Sequence, residues 1–203
     1  MRLFVTGIGT EVGKTVISAI LAEALKADYW KPVQAGDLDY SDTLKVKNLV
    51  SNSKSIFHSE THVLNHSMSP HAAAARDGVE ISLNDFQIPE TDNHLVIEGA
   101  GGLMVPLNRK DCIIDLIEGL GVEAVLVSRN YLGSINHTLL SIEALKSRGI
   151  VIKGIIFNDK ENTETESVIL DMTGLNCLGR VSMLDELSKE SVVKCAERFK
   201  DIQ

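Results

Sequence analysis

The segment Val5-Thr6-Gly7-Ile8-Gly9-Thr10-Glu11-Val12-Gly13-Lys14-Thr15-Val16 restricts this chain more than any other. Apolar residues run straight into three spaced glycines, a Gly-Lys-Thr triplet and then a helical pattern, an order that suits a buried strand, a tight loop and a helix start. Gly7, Gly9 and Gly13 let the backbone turn sharply and approach an anion with no Cβ in the way. Successive N–H groups and the helix N-terminus then surround a phosphate with partial positive charge. Lys14 is placed to neutralise the outer phosphates, and the Thr15 hydroxyl to ligate Mg²⁺. The usual spacing is a glycine, four residues, then Gly-Lys-Ser/Thr. Here Ile8 stands where the first glycine belongs and Gly7 lies one residue earlier, so the loop is one residue longer.

Beyond the loop, short apolar runs alternate with helical patterns, which predicts a parallel sheet covered on both faces. Strands are expected at Leu3–Thr6, Tyr29–Val33, Leu95–Glu98, Ala124–Ser128, Ile152–Phe157 and Cys177–Val181, with a short piece at Leu103–Leu107. Helices are expected at Lys14–Ala27, Asp42–Ser51, Ile113–Leu120, Ser134–Arg148, Glu164–Thr173 and Lys189–Lys200, Ser134 serving as a cap. The fold class is therefore α/β: a three-layer, P-loop NTPase-like domain with a mostly parallel central sheet and helices on both faces. Residues 52–93 are the least regular part, with a short helix starting at His71, and read as an excursion that shapes a substrate site. With no repeat and no linker, residues 1–203 are expected to form one domain.

The net charge is -8, from 20 basic and 28 acidic side chains, and no basic run interrupts it. Nucleic-acid binding is not expected from such a balance, so an anionic nucleotide has to be captured by local dipoles and a few placed lysines. Cys112, Cys177 and Cys195 are odd in number and lack metal-like spacing, as reduced thiols of a cytosolic protein would be. No apolar run reaches the length of a membrane span, and a strand from the first residues leaves no room for a signal peptide. The expectation is a cytoplasmic protein that does not enter membranes.

Further chemistry lies at the ends of the expected strands. Lys31-Pro32-Val33-Gln34-Ala35-Gly36 closes the second one and puts a lysine at the C-terminal edge of the sheet, beside the phosphate loop. Ser41-Asp42 opens a helix; Asp42 reads either as an acid favoured at a helix start or as a Mg²⁺ ligand next to Thr15. In Leu95-Val96-Ile97-Glu98-Gly99-Ala100-Gly101-Gly102 an acid emerges from a buried strand and small residues then admit a ligand. Glu98 has the place of the acidic metal residue of many phosphoryl-transfer enzymes. Asn158-Asp159 also ends a strand; Asn158 can read a base edge, and Asn-Asp is equally common turn chemistry. His58, His62 and His66 are four apart, yet Ser59, Asn65 and Ser67 argue against a steady helix and no acid or cysteine completes a zinc set.

Taken in order, these motifs resemble the dethiobiotin synthetase family. The resemblance rests on the long phosphate loop, Lys31-Pro-Val-Gln-Ala-Gly36, Ser41-Asp42, Ser69-Pro70-His71, Glu98-Gly-Ala-Gly-Gly102, Leu132-Gly-Ser-Ile-Asn-His137 and Asn158-Asp159, from residue 5 to about residue 184. It implies a homodimeric, Mg²⁺-dependent cyclo-ligase that makes dethiobiotin from 7,8-diaminononanoate, CO2 and ATP through a carbamate and a carbamic-phosphoric mixed anhydride. It also implies that Glu11, Val12, Gly13, Lys14, Thr15 and Val16 surround the phosphates, and that Thr15, Asp42 and Glu98 hold Mg²⁺. In the same way Lys31 acts on the carbamate, Thr10 and Ala35 lie near the substrate, and Gly99, Ala100, Gly101, Asn158 and Asp159 face the nucleotide. Gly133, Ser134, Ile135 and Asn136 would receive the substrate carboxylate from across the dimer, as suits a helix N-terminus. Two positions depart from the family: Ala35 stands where a hydroxyl is frequent, and Val181-Ser182-Met183-Leu184 lacks a usual proline. The rivals are a cobyrinate-type synthetase, disfavoured by the lack of a glutaminase segment, and a partitioning-type ATPase switch, disfavoured because Lys14 is the loop's only lysine.

Overall fold

The computed structural model describes residues 1–202 and places the first apolar run in a strand, β1 (Arg2–Gly7), that is covered on both faces. Leu3 and Val5 join one buried cluster and Phe4 another, as the alternation of side chains along a strand demands. The chain continues through α1 (Lys14–Leu25), β2 (Asp28–Trp30), β3 (Val33–Ala35), α2 (Asp42–Leu49), β4 (Phe57–His58), β5 (His62–Leu64) and α3 (Pro70–Asp77). Then follow β6 (Leu95–Gly102), α4 (Ile113–Leu120), β7 (Glu123–Arg129), α5 (Ser134–Ser147), β8 (Ile152–Asn158), α6 (Thr163–Thr173), β9 (Cys177–Val181) and α7 (Lys189–Ala196). No helix among the described residues is long and apolar enough to cross a membrane.

Seven strands form one sheet in the order β4-β2-β6-β1-β7-β8-β9, and every neighbouring pair is parallel. Residues of α1, α2 and α7 pack on one face; α3, α4, α5 and α6 contribute to the clusters on the other. This is the expected three-layer arrangement, and a parallel sheet needs both coverings because its strands are apolar on both sides. From β1 the chain steps to β2, returns to β6 and then crosses to β7, so the direction of winding reverses around β1. Ligands of open parallel sheets bind beyond the strand ends at such a reversal. Gly7, Lys31 and Glu98 all lie there.

Several sequence expectations are corrected. The single strand over Tyr29–Val33 is two: β2 ends at Trp30, and β3 pairs instead with β5 in a separate two-stranded parallel ribbon. Pro32 separates them, having no N–H for a ladder, while its carbonyl accepts from the N–H groups of Thr61 and His62. Leu103–Leu107 is not a strand. Its carbonyls at Leu103 and Val105 accept from Ile114 and Ile113, the opening N–H groups of α4, and Pro106 makes an isolated bridge with Cys112. Ser134 does not cap α5; Gly133 holds that position at a φ of 100° that a Cβ would oppose. The last helix breaks at Ala196 into a tighter turn over Glu197–Phe199. His58 and His62 lie on strands, and His58, His62 and His66 each face a separate carboxylate: Asp28, Asp85 and Asp77.

Candidate active site

The loop between β1 and α1 closes on itself. Gly13 sits at a φ of 96°, and a Cβ there would run into the amide of Asn158. That amide donates to the Val12 carbonyl at 2.9 Å, so the end of β8 braces the loop. Lys14 is buried, and its ammonium donates to the Gly9 carbonyl at 2.9 Å across the turn. Burial pushes its pKa down to about 8; Glu98 and Asp42 pull it up and Lys31 pushes it further down.

Beside the loop, Thr15 of α1, Lys31 just after β2, Asp42 of α2 and Glu98 of β6 converge. Glu98 leaves β6 only 1% exposed, and its Oε1 accepts from Thr15 Oγ1 at 2.8 Å and from Lys31 Nζ at 3.1 Å. Lys31 also meets Asp42 Oδ2 at 2.6 Å and thus bridges the two acids. Burial alone would lower the Lys31 pKa, but Glu98 and Asp42 outweigh it and hold the ammonium above its ordinary range. Burial likewise disfavours the Asp42 carboxylate, yet Lys31 and Lys45 keep its pKa below the usual value. The helix-start reading of Ser41-Asp42 is seen directly: Ser41 Oγ accepts from Leu44 N to cap α2, and the cap aims Asp42 at Lys31. Gln34 helps, accepting from Asp42 N at 3.1 Å and donating to the Gly36 carbonyl at 2.8 Å.

A hydroxyl and two carboxylates beside a phosphate loop form a hard oxygen set, and Mg²⁺ is held by one or two carboxylates together with substrate phosphates. Thr15, Glu98 and Asp42 therefore fit that ion. Their mouth opens on a cavity of about 510 Å³ that includes Thr10, Glu11, Ala35, Ser69, Ala100 and Gly101. Ala35 brings no hydrogen-bonding side chain to this wall. Gly99 points the other way, where a Cβ would press on the Phe4 ring. Gly133, Ser134, Ile135 and Asn136 do not line the cavity within one chain; they open α5, with the Ser134 hydroxyl buried and unpartnered. A second, apolar hollow of about 300 Å³ lies between the loop and α5, bounded by Ile8, Met104, His137 and Leu140.

Asp159 takes a left-handed φ of 75° and accepts from Arg129 Nε at 2.6 Å and from Lys160 N at 2.8 Å. Arg129 in turn reaches the Glu11 carbonyl at 3.3 Å. Arg129 and Tyr29 were not singled out from sequence. Tyr29 Oη donates to Glu98 Oε2 at 2.9 Å, and burial beside Glu98 raises the phenol's pKa well above its ordinary value. The only hint in the sequence is spacing: Tyr29 is two residues before Lys31 and so shares its face of an extended chain. Past Asn158 and Val181, which pair, residues Ser182–Glu186 border a further cavity of about 450 Å³ against α7.

Comparison with known proteins agrees with this geometry. A family described as an AAA domain matches residues 1–191. The chain is 57% identical to an ATP-dependent dethiobiotin synthetase BioD of Christiangramia forsetii over 97% of this chain and 95% of that one. It is 49% identical to the protein of the same name from Cytophaga hutchinsonii, over 98% and 97%. In fold it is similar to the septum site-determining protein MinD of Pyrococcus horikoshii, solved with Mg-ADP, at a TM-score of 0.60 and 14% identity over 100% of this chain and 97% of that one. A ParA family ATPase from Chlorobium tepidum superposes at 0.56 with 13% identity, over 98% and 92%. At such identities the likeness speaks for the fold alone.

Proposed function

The chain belongs to the ATP-dependent dethiobiotin synthetase family, and we propose that the cluster of Lys14, Thr15, Lys31, Asp42 and Glu98 is where it closes the ureido ring. The activity is that of an ATP-dependent ligase of biotin biosynthesis, forming dethiobiotin from 7,8-diaminononanoate and CO2 with release of ADP and phosphate. One observation carries the assignment: Lys31 lies between two acids and the phosphate loop, facing a cavity wide enough for a small diamine.

On this reading CO2 adds to one substrate amine, which loses a proton and becomes a carbamate. A carbamate oxygen attacks the γ-phosphorus and ADP leaves, giving a mixed anhydride. The second amine attacks the carbonyl carbon and gives up a proton; the bond to the phosphate oxygen breaks, phosphate departs with the electron pair, and the ring closes. Lys14 neutralises the transferred phosphoryl group, and Lys31 stabilises the carbamate and the charge that develops as it is phosphorylated. Thr15, Asp42 and Glu98 would hold Mg²⁺, which would supply charge neutralisation on the triphosphate. Glu11 through Val16 hold the phosphates with backbone N–H groups, Ala100 and Gly101 let the nucleotide approach closely, and Thr10 and the Ala35 wall position the diamine. Asn158 and Asp159 lie on the base side of the nucleotide. No covalent enzyme nucleophile is required, because placement and electrostatics suffice for phosphoryl transfer.

The carboxylate end of the substrate is received by Gly133–Asn136 of a second copy, so the working unit is a homodimer. Three exposed apolar side chains support this: Met104 and Leu140, which line the hollow beside the loop, and Leu132, just ahead of α5. Each copy acts as one ligase domain in the cytoplasm. Lys31→Ala tests the assignment: turnover falls by about 10²–10³-fold while ATP binding is retained. In the parent enzyme ADP release requires the diamine and bicarbonate together. ATP hydrolysis indifferent to both would overturn the ligase reading, and a Lys31→Ala enzyme of near-normal rate would remove Lys31 from the carbamate.

A further inference from the structure

We infer that Tyr29 is a positioning residue for Glu98: its phenol holds one carboxylate oxygen so that the other is turned toward Thr15, Lys31 and the metal-bound triphosphate. The inference rests on the proposed role of Glu98 as a Mg²⁺ ligand and extends it to a side chain behind the ligand.

The geometry is built by strand register. Tyr29 on β2 lies beside Val96 on β6, and Glu98, two residues on, presents the same face. Tyr29 is fully buried and Glu98 1% exposed, so the pair meets without water. Oε2 of Glu98 accepts from Tyr29 at 2.9 Å, whereas Oε1 accepts from Thr15 at 2.8 Å and Lys31 at 3.1 Å. These two sets of partners differ in kind. On the proposed reading Thr15 and Lys31 would turn to metal and substrate, which would free Oε1. Tyr29 sits behind the carboxylate with its ring fixed in the core against Phe57, so its bond persists through that exchange. Packing alone would be served by phenylalanine; a hydroxyl buried here is useful because it satisfies and orients an anion. Partners of this kind, one step behind a metal ligand, set the ligand's orientation and alter metal affinity strongly.

Tyr29→Phe keeps the ring and removes only the donor. With Mn²⁺ as the probe, its dissociation constant from the ADP-saturated enzyme is read by the paramagnetic resonance of the free ion, in the parent, Y29F, E98Q and the double variant. We expect Y29F to weaken Mn²⁺ by about tenfold, with ADP affinity in EDTA unchanged. E98Q weakens it at least as much, and the double variant is no worse than E98Q because Tyr29 acts through Glu98. Normal Mn²⁺ affinity in Y29F beside a weakened E98Q overturns the inference and leaves the Glu98 assignment standing. Normal affinity in E98Q removes Glu98 from the metal site and the inference with it. Equal losses of Mn²⁺ and of metal-free ADP in Y29F, or additive losses in the double variant, identify a merely structural tyrosine.

Discussion

Lys14 carries a conflict between burial and charge. Its ammonium is buried on the Gly9 carbonyl, and its pKa is pushed down to about 8 from 10.5. The unfolded chain keeps that proton up to about pH 10.5, while the folded chain releases it from about pH 8. The lysine therefore weighs on stability below pH 8, and the burden lifts as the pH climbs between the two values. A triphosphate on the loop reverses the preference by stabilising the ammonium. ATP binding between pH 8 and pH 9 is then expected to take up a proton, measurable by calorimetry in buffers of different ionisation heat. Above pH 8 the affinity for ATP should fall by up to about tenfold per pH unit. An affinity flat from pH 7 to pH 9.5, with no proton uptake, contradicts the burial of Lys14 as the cause.

The strands divide labour between their two ends. At the C-terminal edge β2 and β6 deliver Lys31 and Glu98; at the opposite edge Asp28 ties the same strands together. Its fully buried carboxylate accepts from Thr91 Oγ1 at 2.6 Å, Asn93 Nδ2 at 2.8 Å and Ile56 N at 2.9 Å, and it faces His58 Nε2 at 3.2 Å. Asp28→Ala strands these donors and should lower unfolding free energy by about 3 kcal/mol. Because the substrate site lies at the other end, kcat at 25 °C should hold. Urea unfolding and steady-state rates separate the two effects, and a large loss of kcat in a fully folded variant would contradict that separation. Element identities were legible because they depend on neighbours along the chain: α4 and β9 fall where periodicity puts them. The strand errors came at Pro32 and at Leu103–Leu107, where backbone groups bond to distant partners that periodicity does not see, while Gly133 and the break at Ala196 displaced a cap and a helix end.

For the whole molecule, Thr15, Lys31, Asp42 and Glu98 meet within one chain, whereas Gly133–Asn136 lie outside the cavity beside them. The proposed dimer makes the two dependent on each other, and it makes a separable prediction. Leu132 is fully exposed and Leu140 is 60% exposed, and changing both to Asp buries charge wherever that face is covered by a second copy. The dimer's dissociation constant should rise by about 100-fold or more, as sedimentation velocity would report. The monomer should still bind ATP and lose kcat/KM for the diamine. A variant that remains dimeric, or a monomer of normal efficiency, would refute the shared site.

The one-residue-longer loop, the alternation of buried strands and helices, and the acids and lysine at strand ends were determined by sequence alone, because each is a pattern among near neighbours. Which of those ends meet was decided by strand order. Setting β6 between β1 and β2 brings Lys31 to Glu98 across 67 positions and Tyr29 to the same carboxylate across 69. Asn158 reaches Val12 across 146 positions only because β8 lies two strands from β1. Local pattern reports what a residue can do. The partners that hold Glu98, brace Gly13 and pull the Lys14 pKa down come from burial and register between distant segments, which no local pattern contains.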